Sequence, residues 1–375
     1  MIRPADQFDV AVVGGGIVGS SIALGLMERG QRVLLLDEGD LAHRAARANF
    51  GLVWLQSKGD GMPAYMRWTR RSTDLWPAFA DQLRQMTGVD VEYRRKGGVY
   101  YCLGEADFDA RRRKVASMRA QADVFDTEML DRTGLERLMP GVRFGREVVG
   151  ASYCHRDGDC NPLRLLQALH TVLLRLGVDH RIGAPVERVE AVAGAFRIQS
   201  QSGFFESGKV VIAAGHGSPA LAEQLGLPSP IRSERGQILV TERVRPFLPL
   251  PGSGIRQTAD GTILIGSSSE NVGFDDRTTV AVGAGMAARA LRVLPSLAGL
   301  RLNRTWSGFR VLTPDKHPVY AESSRYPGAF IALCHSGVTL AAAHAGDFAE
   351  AVARGSLGAF LDQFHAERFD VRSAA

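Results

Sequence analysis

The sequence predicts an α/β fold in which a parallel-sheet domain is interlocked with a mixed antiparallel-sheet domain. A strand, a glycine-rich turn, a helix and a second strand follow one another over residues 8–37. Two later strands also meet glycine-rich turns, near residues 210–217 and 329–340, and hairpin patterns fill the stretches between them. The 375 residues suit one large domain or two interlocked ones. We therefore expect the parallel-sheet domain to be discontinuous along the chain.

Composition and charge narrow the class of protein. Apolar residues make up 45% and charged residues 23%, which are ordinary values for soluble globular proteins. The net charge of +5 is spread out, and its densest run, residues 111–114, is interpreted as a solvated helix face, so we expect no nucleic-acid partner. The four cysteines lack zinc-site spacing, which favours a reduced, cytoplasmic protein without a metal site. The apolar stretch 10–27 contains a glycine cluster and no basic leader, so we expect no transmembrane segment.

The first βαβ unit is the strongest local signal. Residues 8–13 form a short apolar run typical of a buried parallel strand, and residues 17–29 have the pattern of a helix. Residues 31–36 form a second apolar strand, which ends in Asp37 and Glu38. This order is that of a Rossmann-like dinucleotide-binding unit.

Each glycine of the turn has a predicted task. Gly14 permits the tight turn, Gly16 lets the backbone approach a pyrophosphate, and Gly19 lets the helix pack on the strand. The helix N-terminus supplies free N–H groups to the phosphates. Asp37 stands where an acidic residue accepts hydrogen bonds from the adenosine ribose.

The rest of the chain separates the two dinucleotides, because an NAD domain would continue as alternating strands and helices. Instead, residues 91–104 have the pattern of two strands around a Gly-Gly turn, and residues 255–266 that of a hairpin turning at Asp260-Gly261. Between them, Asn161 and Pro162 predict the start of a helix, followed by a strand over 184–192 and a hairpin over 196–212. A strand, a turn at Gly337 and a long helix end the pattern, over residues 329–352.

In this order and spacing, the chain resembles the flavin-dependent D-amino-acid oxidase, glycine oxidase and sarcosine oxidase superfamily. The segments "ARANFGLVW", "YRRKGGVYYCL" and "CHSGVTLAAAHAGDFAEAV" are most similar to the flavoprotein (beta) subunits of hydrogen cyanide synthase, opine oxidase and D-hydroxyproline dehydrogenase. The resemblance implies a D-amino-acid oxidase-like α+β arrangement: an FAD-binding domain formed by residues 1–85, 145–220 and 305–375, and a substrate-binding domain formed by residues 86–144 and 221–304.

The resemblance also implies which residues meet the FAD. Ala46 departs from the family pattern, since relatives commonly carry a hydroxyl residue there. The covalent flavin linkage of monomeric sarcosine oxidases uses a cysteine that aligns near Arg310, where this chain has none, so noncovalent FAD is expected. The implied FAD-binding residues are Gly14, Gly16, Ile17, Val18, Gly19, Asp37, Glu38, Ala46, Arg47, Gly51, Leu52, Val53, Val186, Gly215, Ser336, Gly337, Val338 and Thr339.

Three residues are expected near the substrate. Arg310, in "WSGFRVLTPDKHPVY", matches the arginine that holds a substrate carboxylate in glycine oxidase-like enzymes, although a structural ion pair is the alternative. Arg256 is a candidate for a second carboxylate, as an opine would require, against a solvated strand residue. His335 is a candidate base by residue type, but its position in the family favours backbone or packing contacts. No catalytic side chain is predicted, because hydride transfer to flavin N5 carries the chemistry.

The expected activity is therefore dehydrogenation of the C–N bond of an amino or imino acid. D-hydroxyproline or a related imino acid is placed first, and opines, glycine or other D-amino acids are alternatives. The resemblance to subunits implies a multi-subunit enzyme whose partners carry further redox centres. Two readings from other classes stay open: an FAD-binding subunit without turnover, and a tRNA-modifying flavoprotein, for which a methyltransferase domain and a dense cationic face are missing.

Overall fold

The computed structural model describes residues 7–39 and 45–369. The strands in chain order are β1 (Gln7–Val13), β2 (Val33–Asp37), β3 (Leu52–Val53), β4 (Gly98–Leu103), β5 (Thr127–Asp131), β6 (Val148–Cys154), β7 (Gly158–Asp159), β8 (Asp179–Ile182), β9 (Val186–Val192), β10 (Ala195–Ser200), β11 (Gly203–Ile212), β12 (Arg232–Arg243), β13 (Ile255–Gln257), β14 (Thr262–Gly266), β15 (Leu302–Leu312), β16 (Val319–Glu322) and β17 (Ala329–Leu333). The helices are α1 (Ile17–Glu28), α2 (Pro63–Thr87), α3 (Glu105–Gln121), α4 (Arg132–Leu138), α5 (Pro162–Arg175), α6 (Ser218–Gln224), α7 (Val280–Val293), α8 (Ala341–Ala343), α9 (Ala349–Arg354) and α10 (Gly358–Asp362). A π-helical segment, His344–Phe348, joins α8 to α9, and short 3-10 turns lie at Gly215–Gly217, Pro295–Gly299 and Ala366–Phe369.

The main sheet has the central strand order β16-β17-β11-β1-β2-β8. The contacts from β17 through β11, β1 and β2 to β8 are all parallel, whereas β16 is antiparallel to β17. Strands β10 and β9 extend from β11 as an antiparallel ribbon. The carboxyl ends of the parallel strands therefore lie together, which is where ligands bind in open α/β sheets.

Side chains of β1 divide between two hydrophobic cores, because successive residues of a strand face opposite sides of the sheet. Val10 and Val12 join the core that contains α1, α2 and α5. Ala11 and Val13 join the core formed with the β9–β11 ribbon and α6. Burial on both faces explains why β1 is a continuous apolar run.

A second group of strands is antiparallel. Strands β13, β14, β12 and β15 form one sheet in that order, and β4, β6 and β5 form another. A bridge between Val99 and Gly252 connects them, and a third core, with α4 and α7, fills the space between. The fold class, a Rossmann-like FAD-binding type of sheet combined with antiparallel sheets, is the predicted one.

The strand pairings favour domain boundaries that differ from the predicted ones. Strand β6 pairs with β4 and β5, although the predicted boundary lies at residue 145. Strand β15 pairs with β12 along its length, beyond the predicted boundary at residue 305. We propose that the chain passes from one domain to the other after Cys154 and after Leu312. Residues 1–6, 40–44 and 370–375 of the predicted bounds lie outside the described residues.

Two local predictions are wrong, and one helix was not predicted. Residues 91–97 form no strand, and only Arg94 makes a bridge, to Asp159, so β4 has β6 as its partner. Helix α2 was not anticipated, although Pro63 begins it and Gly88 ends it with φ of 76°. Arg111 is buried at 5% exposure, because Gln56 and nearby hydroxyls accept its hydrogen bonds, so the run 111–114 is only partly solvated.

Two other local predictions, the helix start at Asn161 and the hairpin at Asp260-Gly261, are confirmed. The Asn161 side chain accepts hydrogen bonds from the N–H groups of Leu163 and Arg164, each at 3.2 Å, and so begins α5. The hairpin of β13 and β14 turns at Gly261, whose φ is +92°. All four cysteines are buried free thiols. Among residues 7–39 and 45–369, no helix is long and apolar enough to cross a membrane.

Candidate active site

Two cavities adjoin at the carboxyl ends of β1, β2 and β17. The first, about 500 Å³, surrounds the glycine turn and is named the glycine-turn cavity. The second, about 850 Å³, reaches Arg310 and the antiparallel sheets and is named the Arg310 cavity. Six residues line both and form what we call the shared wall: Ala45, Asn49, Val311, Cys334, His335 and Val338.

The glycine turn has the geometry that a bound pyrophosphate requires. Gly14 has φ of +110°, and a side chain there would meet the carbonyl oxygen of Ala213 at 2.4 Å. A Cβ at Gly19 would lie 1.9 Å from the carbonyl oxygen of Gly14, so only glycine lets α1 approach. A Cβ at Gly16, by contrast, would meet no atom within 4 Å, which leaves space beside the backbone.

The N-terminus of α1 is open to an anion. Gly16 is its N-cap and makes no side-chain capping bond, and no acidic residue lies in the first turn. The first N–H groups of a helix lack partners inside the helix and carry a partial positive charge. Phosphate oxygens are suitable acceptors for these groups.

Asp37 combines two tasks. Its side chain accepts hydrogen bonds from the backbone N–H of Gly15 at 2.6 Å and of Gly39 at 2.7 Å, which fixes the turn against β2. It is 6% exposed and lines the glycine-turn cavity beside the exposed Glu38. The predicted ribose contact therefore has an acceptor at the correct strand end, and the structure adds a role in holding the turn.

The structure brings most of the implied FAD-binding residues to the two cavities. Four of them do not line either cavity: Gly19, Arg47, Gly51 and Val53. Those that line the Arg310 cavity are Leu52, Ser336, Val338 and Thr339. Those that line the glycine-turn cavity are Gly14, Gly16, Ile17, Val18, Asp37, Glu38, Ala46, Val186, Gly215, Gly337 and Val338.

Arg256 is held away from the cavities, so its placement does not support the expected contact with a substrate carboxylate. Its Nη1 lies 3.0 Å from Asp159, and its Nε donates to the carbonyl oxygen of Phe50. It is 4% exposed. A Cβ at Gly51, whose φ is +86°, would lie 2.7 Å from Arg256 Nη2, so Gly51 makes room for this arginine.

The segment from Cys334 to Leu340 forms the floor between the cavities and is held by α2. Tyr65 donates its hydroxyl hydrogen to Ser336 Oγ at 2.8 Å. Ser72 and Trp76 both donate to the carbonyl oxygen of Thr339, at 2.7 and 3.0 Å. These buried bonds fix Ser336 and Thr339, which line the Arg310 cavity.

Arg310 lines the Arg310 cavity and also has a protein partner. Its Nη1 lies 3.1 Å from Glu234 Oε1, and its Nη2 donates to Ser267 Oγ and to the carbonyl oxygen of Ser268. Burial lowers the pKa of Arg310, and Glu234 opposes that shift. The ion-pair alternative is thus partly realised, with Glu234, while Asp315 pairs with Arg368. The guanidinium is fixed at the cavity wall.

Lys58 is a cavity residue that no sequence pattern singled out. Its Nζ lies 3.5 Å from His335 Nδ1, and it lines the Arg310 cavity. Burial, with a smaller contribution from the charge of Arg310, lowers the pKa of Lys58 to about 8 against the opposing effects of Cys334 and Asp157. Burial, together with the charges of Lys58 and Arg310, also holds the pKa of His335 well below its usual value, so its imidazole is neutral.

These observations fit FAD. The open space at Gly16, the uncapped start of α1 and the acidic end of β2 are the features that a dinucleotide needs. The shared wall would lie beside the flavin ring. Metal-ligand groupings of three or more histidine, cysteine or acidic side chains do not occur among the described residues.

Comparison with known proteins agrees with this geometry. The profile of the family described as FAD dependent oxidoreductase matches residues 9–351. A protein named as a subunit of opine oxidase, from Agrobacterium tumefaciens (strain Ach5), is 41% identical over 371 residues, covering 98% of this chain and 99% of the relative. The protein of the same name from Rhizobium meliloti is 41% identical over 372 residues, covering 98% and 99%.

Among solved structures, glycine oxidase from Geobacillus kaustophilus superposes with a TM-score of 0.85 at 24% identity, covering 94% of this chain and 96% of the other. That likeness concerns the fold. From the family match over most of the chain, together with the glycine turn and its cavity, it follows that this chain belongs to the FAD dependent oxidoreductase family and uses FAD as its cofactor.

Proposed function

We propose that the protein dehydrogenates a C–N bond in a carboxylate-bearing secondary amine of the opine type, that is, an N-(carboxyalkyl) amino acid. The observation that carries this proposal is the Arg310 cavity, which adjoins the glycine-turn cavity and has Arg310 and Lys58 on its walls, together with Arg289 and Arg292. The 41% identity to two proteins named as opine oxidase subunits supports the same substrate class.

The Arg310 cavity is large enough for more than the substrate. Its volume of about 850 Å³ lies in the upper part of the range of roughly 300–1,000 Å³ for pockets that bind drug-sized ligands. Leu52, Ser336, Val338 and Thr339, which the resemblance assigns to FAD, line this cavity, so the flavin ring would take part of its volume. D-hydroxyproline, which the resemblance placed first, becomes the second candidate because the relatives at 41% identity are named as opine oxidase subunits, and it belongs in the same experiment.

The residues of the cavity have separable tasks. When bound, FAD supplies the two-electron acceptor for hydride from the carbon of the C–N bond. Arg310 attracts one substrate carboxylate, and a bidentate contact with it would displace bonds that Nη1 and Nη2 make to Glu234, Ser267 and Ser268. The pair of bonds from Ser72 and Trp76 to Thr339 fixes the floor against which the substrate lies. Orientation by fixed groups is a large part of catalysis when the cofactor carries the chemistry.

We further propose that the chain works as the flavoprotein subunit of a larger enzyme. The relatives at 41% identity are named as subunits, and they match this chain along nearly its whole length. Partner subunits with further redox centres would then accept the electrons.

The test is an anaerobic screen of the purified protein for loss of oxidised flavin absorbance. The panel contains N-(carboxyalkyl) amino acids, D-hydroxyproline, D-amino acids and glycine. Rapid bleaching by an N-(carboxyalkyl) amino acid supports the proposal, and preferential bleaching by D-hydroxyproline would replace it with the second candidate. If no member bleaches the flavin, a subunit without its own turnover becomes the better description.

A further inference from the structure

Lys58 has an uncommon environment for a cavity lysine. Its side chain is partly buried, and among the described residues its only side-chain hydrogen-bond partner is the neutral His335, at 3.5 Å. Within residues 7–39 and 45–369, no carboxylate lies within ion-pair distance of its Nζ. Arg310, on the same cavity, already has Glu234 at 3.1 Å. Arg289 and Arg292 also line this cavity, but Arg289 is exposed to solvent and Arg292 pairs with Glu147. Among the described residues, Lys58 is therefore the less exposed cation of the cavity that has no ion-pair partner.

The backbone before Lys58 is held by buried hydrogen bonds, so the point from which its side chain enters the cavity is fixed by the fold. Asp157 Oδ1 accepts a hydrogen bond from Leu55 N–H at 2.5 Å. Gln56 Oε1 accepts from Arg111 Nη2 at 2.8 Å and from Ser152 Oγ at 2.7 Å. A buried network whose members satisfy one another rigidifies what it holds.

The same network explains why Arg111 is buried. Its Nη1 donates to Ser57 Oγ at 2.6 Å, directly beside Lys58 in the chain. Ser57 has φ of 72°, a conformation that non-glycine residues rarely adopt and that needs such support. The buried hydrogen bonds of Arg111, Gln56 and Asp157 therefore hold the chain segment that leads to Lys58.

A cation in such a cavity is unfavourable unless a ligand brings the opposite charge. From this geometry we infer that Lys58 binds the second carboxylate of the substrate, while Arg310 binds the first. The inference rests on the proposed function and names the residue that selects dicarboxylates. Lys58 thus takes the role predicted for Arg256, whose guanidinium forms an ion pair with Asp159.

The experiment compares two ligands that differ only in the second carboxylate: N-(1-carboxyethyl)alanine and N-ethylalanine. The holoenzyme, Lys58→Met and Lys58→Arg are each reduced anaerobically with both. Binding without turnover is measured from the shift in flavin absorbance with thiodiacetate and (ethylthio)acetate, in which sulfur replaces the amine. Lys316→Met is the matched control, because Lys316 also influences His335 but lines neither cavity.

Lys58→Met should weaken binding and kcat/KM for the dicarboxylates by about 10- to 100-fold, the range for a hydrogen bond to a charged group. The monocarboxylates should change less than about threefold, well inside one such bond. Lys58→Arg should recover part of the loss because it keeps the charge, and Lys316→Met should keep the parent preference.

Three results would overturn the inference. The first is an equal loss with both members of each pair. The second is a loss confined to the rate of reduction that Lys58→Arg does not rescue, which indicates a proton acceptor. The third is weaker binding of sulfite to the flavin while the preference for dicarboxylates over monocarboxylates is unchanged. That result would indicate that Lys58 interacts with the flavin and not with the substrate. If thiodiacetate still requires Lys58 but no amine bleaches the flavin, the proposed reaction fails and the carboxylate site stands.

Discussion

Arg310 and Glu234 lie directly opposite each other on the antiparallel strands β15 and β12, with Nη1 3.1 Å from Oε1. The pair fixes the guanidinium at the cavity wall, yet it also competes with a substrate carboxylate for the same nitrogen. Both consequences can be measured.

Arg310→Ala should lower kcat/KM by about one to two orders of magnitude, because a hydrogen bond to a charged group contributes roughly 1.5–3 kcal/mol. Arg310→Lys should recover only part, since lysine lacks the bidentate fork. Glu234→Gln should lower KM slightly, because it removes a competing charge. Steady-state kinetics with the best substrate of the screen, alongside FAD content, decides. An Arg310→Ala protein that keeps full activity but loses FAD would make the arginine structural.

The glycine turn allows a test of the pyrophosphate position. Gly16→Val should weaken FAD binding at least tenfold while the protein still folds, because its side chain would enter space that no protein atom occupies. Gly285→Val, on exposed α7, is the control, since it also meets no atom within 4 Å but lines neither cavity. Fluorescence titration of apoprotein with FAD measures the difference. Equal FAD affinity in the two variants would contradict the placement.

Denaturation with acid or heat should release intact FAD into solution. The one cysteine of the shared wall is Cys334, and burial raises the pKa of its thiol to about 12, so the thiol stays protonated and unreactive. Flavin that remains with the precipitated protein would show a covalent bond instead.

Binding of thiodiacetate should weaken as the pH rises above about 8, because Lys58 then loses its charge. The groups around it are Asp157, His335, Cys334 and Arg310. The pKa of Asp157 is raised to about 7 by burial, so titration from pH 7.5 upward separates the two. Lys58→Arg should abolish the pH dependence, and (ethylthio)acetate should show little of it. A dependence that persists in Lys58→Arg belongs to another group.

His344 should make the protein sensitive to acid. Its Nε2 lies 2.8 Å from the Tyr320 hydroxyl oxygen, and burial lowers its pKa to about 3. The unfolded chain binds a proton near pH 6.5 and the folded chain does not, so this contribution is complete above pH 6.5 and is lost as the pH falls towards 3.

His344→Gln should therefore reduce the pH dependence of the unfolding free energy in this window by up to about 1.4 kcal/mol per pH unit. Urea denaturation of the holoprotein, followed by tryptophan fluorescence, measures it. The exposed His155→Gln serves as the control. An unchanged slope in His344→Gln would mean that His344 is charged in the folded protein.

The features that were predicted correctly depend on residues that are close together in the sequence. The βαβ unit, the Asn161 cap and the hairpin at Gly261 each follow from local rules, and the structure contains all three. The buried ion pair of Arg256 was not predicted, because its partner Asp159 lies 97 residues away and no spacing along the chain reveals that contact. A surface strand position and a buried ion pair look alike in sequence.

Lys58 was missed for a related reason. It follows a short strand in a segment without periodicity, and its environment is made by Asp157, Gln56 and Arg111 from distant parts of the chain. The run containing Arg111 has the composition of a solvated helix, and only the partners opposite it explain its burial. Charge patterns therefore predicted the helix and not which of its side chains faces inward.

Cys334 and His335 face the glycine-turn cavity on one side and the Arg310 cavity on the other. Any shift of this thin partition changes both ligand environments together, so retention of the cofactor and affinity for the substrate are thermodynamically linked. Linkage is reciprocal: a substrate that binds more tightly to the flavin-loaded protein must slow or weaken flavin loss by the same free energy. Saturation with substrate would then protect the holoenzyme against dissociation, and starvation would favour the apoprotein.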